Sequence, residues 1–118
     1  GAEQSEKRWM EKFGEWKGVV RVHDWQPRGK ATWEVNVLRP GDYCIHLTYS
    51  GKGRLVWGVD VQGGEHIQNQ QNSSHNYQTF PIGWLNFPMP GRYQVSVSCL
   101  EGNTKTASLK AIQFMPIQ

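Results

Sequence analysis

From Val19 to the end of the chain, apolar residues recur at every second position, and this constrains the fold more than any other feature. Ala31, Trp33, Val35 and Val37 alternate with Thr32, Glu34 and Asn36. Tyr43, Ile45, Leu47 and Tyr49 alternate with Cys44, His46 and Thr48. Leu55, Trp57, Val59 and Val61 repeat the pattern, as do Tyr93, Val95, Val97 and Cys99. A period of two places one set of side chains on a buried sheet face and the other set in solvent. Turn signals divide the runs at Pro40-Gly41-Asp42, Ser50–Gly53, Gly63-Gly64, Pro88–Gly91 and Glu101–Asn103. About eight short strands separated by such turns predict an all-β antiparallel sandwich of the jelly-roll type. The chain is 118 residues long, the size of one domain with a core of its own.

Two segments depart from the simple alternation. In Thr79–Phe87, Phe80 and Ile82 are out of phase with Leu85 and Phe87, so a bulge or bend is expected near Gly83-Trp84. Asn69–Gln78 is almost wholly polar and reads as an exposed loop. Ahead of the alternating region, Ser5–Trp16 carries a helical stripe. Trp9, Phe13 and Trp16 recur at i, i+4 and i+7, Ser5 can cap the start, and Gly18 follows the end. The expected organisation is therefore residues 1–18, a short helix behind a residue left by a removed expression tag, and residues 19–118, the sandwich. The segments PGDYCIHLT (40–48) and PGRYQVSVS (90–98) share the form PGxYx[IV]x[LV][TS], which marks two equivalent strand starts after tight turns.

Charge and cysteine usage exclude several functions. The net charge of +3 comes from 13 basic and 10 acidic residues spread along the chain. No basic run or stripe answers to a phosphate backbone, so no nucleic-acid partner is expected. No stretch reaches the ~20 apolar residues of a membrane span, and no signal peptide is expected within these residues. Cys99 is in phase with the core and Cys44 is out of phase, so two free thiols are expected. The four histidines show no metal-ligand spacing and no nucleophile elbow is present. No cofactor is expected, although a structural Ca²⁺ held mainly by backbone carbonyls would leave no trace in a sequence. Most acidic residues fall at the expected helix, in turns or on outward strand positions, and Asp24 and Glu65 remain with nothing to pair them, so the facing pair that glycoside hydrolysis needs is not expected. No catalytic residue is assigned, and the chain is read as non-catalytic.

The run Ala31–Val37, the following Pro-Gly-x-Tyr, Ile82–Phe87 with its central glycine, and the closing Leu109–Pro116 together resemble the β-sandwich domain that follows the catalytic barrel of family 29 bacterial α-L-fucosidases. The strand-and-turn pattern is also similar to galactose-binding-like carbohydrate-binding modules. The resemblance covers residues 30–117. It implies an accessory domain that packs on a catalytic glycosidase domain, binds glycan, or both, in the periplasm or outside the cell. Sugar binding needs an exposed aromatic ring beside hydrogen-bonding side chains. Trp33 and Trp57 are in phase with the core, and Trp9 and Trp16 belong to the helical stripe. Trp25, in a polar turn, and Trp84, at the break in register, are left over. With His75, Asn76 and Tyr77 of the polar loop they form the candidate carbohydrate site. The alternatives are a stand-alone carbohydrate-binding module and a protein-interaction or adhesion sandwich.

Overall fold

The computed structural model describes residues 5–7, 16–23 and 29–117, the first two segments by their backbone path. Strands among them are β1 (Ser5–Lys7), β2 (Trp16–His23), β3 (Ala31–Val37), β4 (Gly41–Ser50), β5 (Arg54–Val61), β6 (His66–Asn72), β7 (Gln78–Phe87), β8 (Gly91–Gly102) and β9 (Ser108–Pro116). They form a five-stranded sheet in the order β1-β2-β9-β4-β7 and a four-stranded sheet in the order β3-β8-β5-β6, with every pair antiparallel. The chain changes sheets at every connection except β1 to β2 and β5 to β6. This makes the predicted sandwich. No helix among the described residues is long and apolar enough to cross a membrane.

Between the sheets lies the core that the alternation marks out. Trp33, Trp57, Leu47, Ile45, Leu85 and Phe114 are all buried. Each inward residue is followed by an outward, solvated one, as the burial of β3 and β4 shows. Cys99 faces the core and Cys44 the opposite way, and both thiols are free. Burial pushes the Cys99 thiol up to about 12.

The repeated PGxY motif has one physical meaning in both places. Gly41 and Gly91 take φ of 134° and 138°, a backbone conformation open to glycine and strained for other residues. Two residues on, the tyrosine hydroxyl donates to the carbonyl four residues upstream, Tyr43 to Arg39 at 2.7 Å and Tyr93 to Met89 at 2.6 Å. Each bond pins a turn to the strand that leaves it. Phe87 sits between the two rings, edge-on to Tyr43 (centroids 5.5 Å) and to Tyr93 (4.8 Å). One aromatic cluster thus ties the start of β4 in one sheet to the start of β8 in the other.

Three expectations are corrected or refined. The helix over Ser5–Trp16 does not form at its ends: Ser5–Lys7 is strand β1, paired with β2 through Glu6↔Val19, and Trp16 opens β2 opposite Phe114. Pairing with a β-branched neighbour overrides a weak local helical preference. Residues 8–15, with Trp9 and Phe13, lie outside the described residues. The polar loop is shorter than expected, because Asn69–Asn72 belong to β6 and only Ser73–Tyr77 connect it to β7. β6 is an edge strand whose inward amides do structural work: Asn69 Nδ2 donates to the Ile82 carbonyl (3.1 Å) and Gln71 Nε2 to the Pro81 carbonyl (3.2 Å). Finally, the expected bulge is present. Ile45 pairs with Gly83 and His46 with Pro81, so the extra residue is Ile82, one position before the glycine.

Candidate functional site

The bulge at Ile82 decides what the outer face of the five-stranded sheet presents. It lets Phe80 and Ile82 point inward and then resets the phase, so that Leu85 and Phe87 are buried and Trp84 points out. Trp84 is 59% exposed on an edge strand. No aromatic ring among the described residues packs on it. A tryptophan in this position contributes little to the core.

Cross-strand pairing fixes its neighbours. Trp84 lies opposite Cys44 on β4, and Cys44 lies opposite Met115 on β9. Two residues further along the same face, Asn86 lies opposite Asp42, and Asn86 Nδ2 donates to Asp42 Oδ1 at 2.8 Å. The Asn86 backbone N–H, on the free edge of β7, donates to Glu65 Oε1 at 2.5 Å. This holds the end of β7 in place and leaves Asn86 Oδ1 and the second Asp42 oxygen as acceptors beside the indole. In the other direction His46 and Gln113 face one another. The arrangement is an open aromatic plate with an amide–carboxylate pair next to it. Such a plate can stack on the C–H face of a pyranose while the polar pair bonds its hydroxyls.

The other sequence-predicted site residues are elsewhere. Trp25 lies outside the described residues. His75, Asn76 and Tyr77 sit in the β6–β7 loop, held against the β4–β5 loop by Gly51 N–H to the Ser74 carbonyl (2.9 Å) and Ser73 N–H to the Gly53 carbonyl (3.0 Å). Tyr77 shares a hydrogen bond with the Ser108 hydroxyl, and Lys110 Nζ stands 5.3 Å from its ring centroid. That ring face is already engaged by a cation. Seven residues of strand, roughly 20 Å at ~3.3 Å per residue, separate Tyr77 from Trp84. The structure therefore does not bring the loop residues together with Trp84. It supplies Asp42 and Asn86 in their place, which sequence reasoning left as a turn residue and an unremarked strand residue. Their adjacency follows only from the register of β4 on β7.

The outer face of the four-stranded sheet has a different character. Thr32 bonds Ser96 at 3.0 Å, and Arg92 lies 3.4 Å from Glu34. His66 bonds Asp60 through Nδ1 at 2.5 Å and Gln68 through Nε2 at 3.1 Å. The Gln68 amide oxygen and the Asp60 carboxylate together raise the pKa of His66 above its ordinary value.

The two outer faces thus differ, one carrying polar groups bonded to one another and the other an exposed tryptophan. Solved structures share the fold. The chain superposes on a GH26-CBM35 β-(1,4)-mannanase from Podospora anserina with a TM-score of 0.68 and 12% identity, covering 91% of this chain and 28% of the mannanase. It superposes on the CBM36-1 domain of a multidomain xylanase from the hindgut metagenome of Trinervitermes trinervoides with a TM-score of 0.63 and 11% identity, covering all of this chain and 90% of that domain. The mosquito-larvicidal Cry4Aa toxin of Bacillus thuringiensis shares the fold as well, with a TM-score of 0.64 and 16% identity over 86% of this chain and 19% of the toxin. At these identities the likeness is one of fold. No protein-family model and no curated protein matches the sequence.

Proposed function

We propose that the domain is a non-catalytic carbohydrate-binding accessory module of a glycoside hydrolase, with Trp84 as the sugar platform and Asp42 and Asn86 as the flanking hydrogen-bonders. The observation that carries this reading is the indole of Trp84, 59% exposed on a sheet face with no ring packed on it and a hydrogen-bonded Asn86–Asp42 pair alongside. An exposed indole beside a polar amide–carboxylate pair is the combination that sugar stacking uses. The fold supports the same reading, since the CBM36-1 domain of a multidomain xylanase and a GH26-CBM35 mannanase carry it. A polysaccharide ligand places the working domain in the periplasm or outside the cell. The sequence likeness to the sandwich of α-L-fucosidases makes fucosylated glycans the first ligands to try, with mannan and xylan following from the fold.

Isothermal titration of the protein with fucosylated oligosaccharides, mannooligosaccharides and xylooligosaccharides tests the reading. Saturable binding that disappears in Trp84→Ala, with the melting temperature unchanged, supports it. Binding to none of the three at millimolar ligand overturns the module, and binding unaffected by Trp84→Ala overturns the site.

A further inference from the structure

The same outer face carries a second set of groups that the glycan reading does not use. Cys44 is a free, half-buried thiol on β4. Met115 on β9 is its direct cross-strand partner, and His46 follows it by two positions on the same face of β4, so His46 and Met115 are diagonal neighbours. In an antiparallel pair, direct partners have Cβ atoms about 4.5–5.5 Å apart and diagonal ones about 7–8 Å or somewhat less, while i and i+2 on one strand are separated by about 6.6 Å. Thiol, imidazole and thioether side chains therefore rise from adjacent positions on one face of the sheet. All three residues are half-buried. The Nδ1 atom of His46 is buried and makes no hydrogen bond, which costs about 1–3 kcal/mol unless something fills that coordination.

We propose that Cys44, His46 and Met115 form a binding site for a soft monovalent metal ion, Cu(I) by the chemistry of its donors. Thiolate and thioether sulfur select Cu(I) among the biological metals, and imidazole completes a three-coordinate set. Charge points the same way. One thiolate against one monovalent cation gives a neutral complex, which a half-buried site tolerates better than the net charge a divalent ion would leave. Harder alternatives lack ligands: no three of His, Cys, Asp and Glu come together among the described residues. Binding releases the Cys44 thiol proton to solvent and changes no oxidation state. Trp84, across β4 from Met115, stands at the rim of the site and not among its donors.

The test is an anaerobic titration of the whole chain with Cu(I) in competition with the chromogenic chelator bicinchoninate. Wild type and Cys99→Ser should each withdraw one equivalent, while Cys44→Ser, His46→Gln and Met115→Leu each weaken binding by about tenfold or more. X-ray absorption of the loaded protein should show two sulfur and one nitrogen neighbours. Trp84→Ala should still take up copper, so failure of the glycan reading and failure of this one are separable. No copper withdrawn by the wild type, affinity unchanged in Cys44→Ser and Met115→Leu, or loss in Cys99→Ser would each overturn the assignment. Met115→Leu keeps volume and apolarity, so its result stands even where Cys44→Ser folds poorly.

Discussion

The two outer faces of the sandwich arise from the same alternation, yet they treat their side chains in opposite ways. On the four-stranded sheet, alongside the exposed Leu100, polar outward groups bond one another: Thr32 with Ser96, Glu34 with Arg92, and Asp60 with His66 and Gln68. On the five-stranded sheet Trp84 is open to solvent, His46 Nδ1 is unbonded, and Cys44 is a free thiol beside Met115. A face built only to keep the domain in solution looks like the first. The second holds an exposed indole and an unbonded imidazole nitrogen, the groups on which the proposed ligand sites rest. The bulge at Ile82 produces the contrast, because without it Trp84 would fall in phase with Phe80 and point into the core.

The sharpest way to break the contrast is to remove the indole. Trp84→Ala should weaken glycan binding by roughly 30-fold, the effect of losing an anchoring aromatic worth about 2 kcal/mol. Stability should change by less than about 0.5 kcal/mol, because the side chain packs on little. Leu100→Ala, an exposed apolar truncation on the four-stranded sheet, should leave affinity unchanged. Calorimetry and thermal melts on the two variants read both quantities. Equal losses of affinity in the two would erase the distinction between the faces.

How much of this could be read before folding differs between core and surface. Trp33, Trp57, Cys99 and the PGxY strand starts were legible because parity and turn chemistry are local properties. The bulge is legible as a phase break near Gly83-Trp84, but phase alone does not say that Ile82 is the residue left unpaired. The partners of Trp84 were not legible, since Asp42 meets Asn86 only through a register linking residues 44 apart in sequence. Grouping Trp84 with His75–Tyr77 failed for the converse reason, as neighbours in sequence are carried apart by an extended strand. The Gly63-Gly64 hairpin signal leads into the first half of β6, but its second half is hidden because, after Ile67, the inward positions hold Asn69 and Gln71, whose amides serve β7 carbonyls in place of apolar contacts.

The two strand starts offer a smaller, structural test of the same two-sheet comparison. Tyr43, which opens β4 of the five-stranded sheet, is 3% exposed, and Tyr93, which opens β8 of the other, is half-buried. Burial raises the Tyr43 hydroxyl above its ordinary pKa, although Arg39 opposes the shift. Removing the hydroxyl leaves the Arg39 carbonyl without its donor in the less hydrated of the two turns. Tyr43→Phe should therefore cost about 1–1.5 kcal/mol in urea unfolding, and Tyr93→Phe about 0.5–1 kcal/mol, because water replaces the lost donor more readily there. If the order reverses, the two turns are not the equivalent pins that their common motif implies.

The smallest effect belongs to the polar face. With His66 protonated, Nδ1–H donates to Asp60 and Nε2–H to Gln68, so the charged form is the one its surroundings hold. Its folded pKa is raised, by Gln68 and then by Asp60. A raised folded pKa means that the stabilisation is fully present below the unfolded value, about 6.5, and is lost as pH rises through the folded one. Both side chains are largely exposed, so the contribution stays below about 1 kcal/mol after solvent screening. Asp60→Asn should bring the imidazole titration, followed by NMR, down toward its ordinary value. It should also flatten the gain in stability that the wild type shows on acidification from pH 8 to below pH 6.5, and leave glycan affinity and copper uptake untouched. A change in either of those would mean that the polar face is coupled through the core to the open one, and that the two faces do not act independently.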